Sequence, residues 1–129
     1  MTFERFREYC LAKPGVTEEY PFHGTAVWLK VMGKVFTIAN MDEMKVAGEM
    51  VPPFHFINLK CDPEWAIDLR ERHPAITPAW HMNKQHWNSI YTDGSLKDTF
   101  IFELIDHSYK LVADSLSTKV KTELATLSH

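Results

Sequence analysis

The sequence predicts an α+β fold: a twisted antiparallel sheet with helices packed on one face. Three observations predict it. Helical periodicity marks both ends of the chain, several short runs of period-two apolar residues lie between them, and 45% hydrophobic with 24% charged residues is a globular composition. At 129 residues, this is expected to be one domain spanning 1–129, with a single core.

Thr2 is placed to cap a first helix running to about Lys13, in which Phe3, Phe6 and Cys10 form the inward stripe, and Pro14-Gly15 stops it. The polar stretch from Thr17 to Gly24 reads as a connection. Thr25 to Val31 alternates and is β-branched or aromatic at most positions, which is a strand, with Val27, Leu29 and Val31 on one face and Trp28 and Lys30 on the other. Gly33-Lys34 reads as the turn into a second strand, Val35 to Met41, giving an antiparallel hairpin. The segment MDEMKVAGEMVPP mixes helix formers with Gly48 and Pro52-Pro53, and reads as a loop with room for a short strand.

His55 to Lys60 is a third strand. Asp62, Pro63 and Glu64 follow in the preferred order of cap, proline and acid, opening a helix that ends at Pro74. Ala75 to Lys84 reads as a loop, Gln85 to Tyr91 as a strand and Asp93-Gly94 as a turn. Ser95 and Asp98 have capping-box spacing ahead of the strongest helix, whose inward face is Phe100, Ile101, Leu104, Ile105, Ser108 and Val112. Ser117 interrupts or recaps it, and Val120, Leu124 and Leu127 carry an amphipathic pattern onward.

Bulk properties narrow the function classes. A net charge of −3 offers no general attraction to phosphate, so nucleic-acid binding would need a local basic patch. Glu4, Arg5, Arg7 and Glu8 stand where a signal peptide would be apolar, and no apolar run approaches membrane-spanning length, so no membrane partner and a cytoplasmic location are expected. Cys10 and Cys61 fall in separate elements, which gives neither a disulfide framework nor a zinc motif; both are expected reduced and partly buried.

Several segments resemble the MmcQ/YjbR family, whose members share a fold similar to the bacterial frataxin CyaY. They are KPGVTEEYPF at 13–22, VMGKVFTI at 31–38, INLKCDPEWAIDLRERHP at 57–74, HMNKQHWNSI at 81–90 and LIDHSYKLV at 104–112, in order across most of the chain. The resemblance implies an antiparallel sheet flanked on one side by the first and last long helices. It also implies DNA binding, the activity by which family members are commonly described. CyaY binds iron through acids on its first helix and an adjoining strand; here Glu4 and Glu8 stand beside Arg5 and Arg7, and the strand read as first carries Lys30 and no acid. The iron role is therefore not carried over.

Candidate nucleic-acid contacts follow from side-chain chemistry within those segments. Lys30, Lys34 and Lys60 lie on or beside neighbouring strands and could form a small positive patch, although lysines there are also ordinary solubilising residues. The cluster His81, Asn83, Lys84, Gln85, His86, Trp87 and Asn88 mixes cationic, amide and stacking groups suited to phosphates and bases; its plainer reading makes Trp87 a core anchor and Asn83 and Asn88 partners of backbone groups.

His81 and His86, with His73 and Asp93 near in sequence, do not make a metal set, and no cofactor is implied. Cys61 at a helix amino end is the one candidate nucleophile, with no histidine identified as its base, and its plainer reading is a small buried residue. Ser108, Tyr109 and Lys110 cannot converge on a helix, which leaves Ser108 as a small residue allowing close helix approach. The expected function is a non-enzymatic binding domain. Its partner is DNA by the resemblance; the alternative is a protein–protein or small-ligand adaptor using the exposed sheet face, anchored by Trp28.

Overall fold

The computed structural model describes residues 1–79 and 82–127, with the backbone alone of Phe22. Helix α1 (Phe3–Leu11) begins where Thr2 accepts a hydrogen bond from the Arg5 amide. Gly15, at a left-handed φ of 72°, then reverses the chain into β1 (Val16–Glu19). The sequence reading put a connection here. β1 escapes notice because it is a short edge strand carrying Glu18 and Glu19, the composition that protects a sheet rim from mispairing.

Strands β2 (Ala26–Val31) and β3 (Lys34–Asn40) form the expected hairpin, turning on Met32 and Gly33, both with positive φ. A second hairpin, β4 (Met44–Val46) and β5 (Glu49–Val51), occupies the segment from Met41 to Pro53 that reads as a loop with room for a short strand. Its turn places Ala47 at φ 53° and Gly48 at 86°, and alanine so rarely adopts that conformation that the pair gives no turn signal in the sequence.

β6 (Phe56–Lys60) leads to α2 (Pro63–Arg72), whose Trp65 amide is capped by Asp62. β7 (Ile76–Pro78) lies inside the segment read as a loop; it is three residues long at the far sheet edge, where a proline is tolerated. β8 (Trp87–Tyr91), α3 (Asp98–Asp114) and α4 (Thr118–Thr126), recapped by Ser117, complete the chain. The capping box from Ser95 does not form. Asp98 instead pairs with Arg5 at 3.0 Å, tying α3 to α1, and the Ser95 amide bonds to Asp93.

The six main strands run in the order β1-β2-β3-β6-β8-β7, every pairing antiparallel. Alternation sends Val27, Leu29, Ile57, Leu59 and Ile90 to one face, where they meet Phe6 and Cys10 of α1, Leu69 of α2 and Ile101, Leu104 and Ile105 of α3. The helices thus cover a single face, as expected. A bulge in β3, where the register with β2 shifts, turns both Phe36 and Thr37 inward, and Phe36 packs edge-on against Tyr109.

Where β3 and β6 cease pairing, α3 supplies the missing bonds. The Ser108 hydroxyl donates to the Phe36 carbonyl at 2.5 Å and accepts from the Lys60 amide at 2.9 Å. Ser108 is therefore a polar bridge between two strands as well as a small residue under the helix. Side-chain ties fasten α1 to its neighbours: Arg7 holds Glu18 through two hydrogen bonds, and Tyr9 and Lys13 both donate to Asp106 on α3.

Candidate functional site

The face opposite the helices is neither flat nor fully open. Alternation along β2, β3, β6 and β8 places Trp28, Ile38, Phe56, Asn58, Ser89 and Tyr91 there, and the β4–β5 hairpin arches above them. Asn40 fixes the arch at both ends. Its amide nitrogen donates to the carbonyls of Asp42 and Pro52, each at 3.1 Å, and its side-chain oxygen accepts from the His55 amide. One residue at the end of β3 thereby holds the start and the finish of the hairpin.

Between arch and sheet lies a concave pocket of about 560 Å³, within the size range of small-molecule sites. Trp28, Ile38 and Asn58 form its floor, with Phe56, Met44 and Met82 among its walls and Asp42 at the rim. Among the described residues no cationic side chain lines it. Aromatic faces and two flexible thioethers make surfaces that adapt to flat apolar ligands. A second hollow of about 260 Å³, under Val46 and Ala47, lies against the other side of Phe56 and reaches Thr77, Ser89 and Tyr91.

Among the described residues, the pocket floor contains a single buried amide with an N–H left to give. Asn58 is 6% exposed; its carbonyl accepts from the Ser89 hydroxyl at 2.6 Å, while among the described residues its amide nitrogen has only the sulfur of Met82, 3.3 Å away. A thioether is a weak acceptor. The reverse orientation of the amide would set its oxygen against that sulfur with no bond to gain, so the chemistry fixes a donor toward the pocket.

Comparison with known proteins places the chain. The family model described as YjbR matches residues 11–111. The chain belongs to the YjbR family. It is 33% identical over 127 residues to the uncharacterised protein YjbR of Escherichia coli strain K12, covering 98% of this chain and all of that one. It is 33% identical over 116 residues to YbdF of Escherichia coli O157:H7, covering 90% of this chain and 88% of the relative. Among solved structures, a Deinococcus radiodurans protein with a DUF419 domain superposes with a TM-score of 0.79 at 28% identity, over 96% of this chain and 88% of its own. A Pseudomonas syringae protein gives 0.71 at 25% identity, over 87% of this chain and 99% of its own.

Set in this YjbR-family fold, the residues expected to contact DNA disperse. Lys30 shares the pocket face but is engaged with Glu19 at 2.5 Å and sits 5.6 Å over the Trp28 ring. Lys60 shares that face by alternation, Lys34 is exposed at the β2–β3 turn, and Asn83 and Lys84 are exposed beyond Met82. His86 is half-buried, and its backbone carbonyl accepts from the Cys61 amide. Asn88 is corrected: at 1% exposure it faces the helices and donates to the Ala66 carbonyl, so no nucleic acid reaches it. Asn83 caps its own turn, accepting from the Gln85 amide, which is the plainer role anticipated for it. Trp87 is half-buried on the pocket face and is no core anchor. His81 lies outside the described residues.

The acid-free first strand also needs correcting, since the true first strand is β1 and carries two glutamates. Glu18 is held below the usual carboxylate range by the Arg7 guanidinium, and Glu19 is paired with Lys30. No group of three or more His, Cys, Asp or Glu is arranged to hold a metal among the described residues. Burial pushes the Cys61 thiol up to about 11, the opposite of what a nucleophile needs. His107, its pKa lowered by burial, uses Nε2 to accept from the Asp62 amide at the head of α2.

Sequence reasoning named Trp28 but missed Phe56, Asn58, Met44 and Met82. Part of the signal was present: FINLK places Phe56 and Asn58 together on the outer face, where an ordinary solvated strand would carry charges. The thioethers come from a hairpin and a loop, whose approach to the sheet no local pattern encodes.

Proposed function

We propose that the protein is a non-enzymatic binding domain whose site is the sheet-face pocket, taking a small, largely apolar ligand. The observation that carries this is the concavity itself: about 560 Å³, floored by Trp28, walled by apolar side chains and provided with one buried donor. A surface serving only solvation would not keep Trp28, Phe56 and two methionines around open space. Reduced, buried cysteines, and the absence among the described residues of any helix long and apolar enough to cross a membrane, support placing its action in the cytoplasm.

The test is ligand-observed NMR with a library of small aromatic fragments. Fragments bind the native protein with millimolar or better affinity, and Trp28→Ala abolishes their signals. A library with no binders, or binding indifferent to Trp28→Ala, overturns the reading.

A second reading, DNA as partner, is favoured by one observation: Lys30 and Lys60 rise from the pocket's own face, with Lys34 exposed at the β2–β3 turn and Lys84 exposed ahead of β8. The neutralisation of Lys30 by Glu19 and the net charge of −3 weigh against it. If DNA binds, affinity falls steeply with salt and Lys34→Glu with Lys84→Glu removes it. Absence of binding at low ionic strength ends this reading.

A further inference from the structure

We infer that the pocket selects an uncharged planar heteroaromatic ring bearing a hydrogen-bond acceptor, which Asn58 recognises through its amide N–H. This rests on the pocket being a ligand site. Size and lining alone would admit any flat hydrocarbon; the two asparagines on the pocket face separate the possibilities.

Asn40 has no N–H left to offer a ligand. Both go to the carbonyls flanking the hairpin, while its oxygen faces the His55 amide. Asn58 differs. Ser89 holds its oxygen, which fixes the amide plane and leaves the N–H groups toward the cavity, where the only partner among the described residues is the Met82 sulfur. A buried N–H with so weak an acceptor gains from a ring nitrogen or carbonyl oxygen that displaces the sulfur. A ligand donor at the same place would confront another donor.

Charge sets the second constraint. Asp42 stands at the rim and no cation lines the pocket among the described residues, so an anionic ring loses hydration and meets a carboxylate. The flat shape follows from Trp28 and Phe56, whose rings favour stacked and edge contacts, with Met44 and Met82 adjusting their thioethers around an aromatic edge. Ser89 is then a positioning residue, since its hydroxyl decides which end of the Asn58 amide the ligand meets.

The experiment compares four bicyclic probes of similar size by NMR titration: quinoline (acceptor), indole (donor), naphthalene (neither) and 2-naphthoate (anion). Quinoline binds about three- to tenfold more tightly than naphthalene, the range of one net hydrogen bond, and indole and 2-naphthoate bind more weakly than quinoline. Asn58→Leu makes quinoline and naphthalene equal. Asn58→Asp, which keeps an acceptor for Ser89, reverses the preference toward indole. Equal affinities for quinoline and naphthalene in the native protein, tightest binding by 2-naphthoate, or a preference unchanged by both variants overturns the Asn58 assignment. If none of the four binds, the ligand-site reading itself fails, a result distinct from equal binding.

Discussion

The two faces of the sheet are built from the same strands yet solve opposite problems. On the helix face Phe36, Ile57, Ile90 and Ile105 are at most 1% exposed, and space is filled until one serine must serve two strands. On the hairpin face Trp28, Ile38 and Phe56 are just as apolar in character but enclose a cavity. Hydrophobicity along a strand therefore does not say which face is the core. Three helices have enough apolar surface to close one side, whereas a hairpin of two three-residue strands does not close the other.

The contrast can be broken by mutation. Phe36→Ala, on the packed face, costs about 3–5 kcal/mol in urea unfolding, since the Tyr109 ring and the helix above cannot collapse into the void. Ser108→Ala strands the Phe36 carbonyl and the Lys60 amide together, and about 2–4 kcal/mol is expected from two orphaned backbone groups. A loss under 1 kcal/mol would mean that the two strands satisfy each other without the helix.

Alkaline pH sharpens the same point. Burial pushes the Cys10 thiol up to about 12 from its ordinary value near 9, so the folded protein keeps a proton that the unfolded chain releases. This group's stabilisation is complete below pH 9 and declines by about 1.4 kcal/mol per pH unit between 9 and 12. Denaturant midpoints at pH 8 and 10 measure it, with Cys10→Ala removing this contribution. Trp28→Ala, on the open face, lowers stability by only about 1 kcal/mol because its half-buried ring leaves no sealed void. A cost matching that of Phe36→Ala would make the pocket face a second core and end the comparison.

How much of this was legible differs between fold and site. The helix face of β2 could be read residue by residue, and so could the caps at Thr2, Asp62 and Ser117, because each depends on side chains a few positions apart. β1 and β7 were not readable: both are short edge strands whose charges or proline satisfy solvent rather than a period-two core. Ser95 and Asp98 had the spacing of a cap, yet Arg5 lay close enough to claim Asp98, a competition no local motif reveals. For the site, alternation in β2 sets Trp28 facing away from Val27 and Leu29. Composition puts Asn88 in a polar cluster, but one strand residue changes face with each step, and alternation sends it to the helices.

The sequence by itself determined the family, the α+β class and the packed face, since periodicity and capping are local properties that each segment carries alone. Tertiary structure decided where the chain leaves room. The arch of β4–β5 on Asn40, the approach of Met82 to Asn58 and the bridge of Ser108 join residues distant in sequence. A cavity exists only where such elements fail to fill the space between them, and that failure is a property of the assembled chain and not of any segment in it.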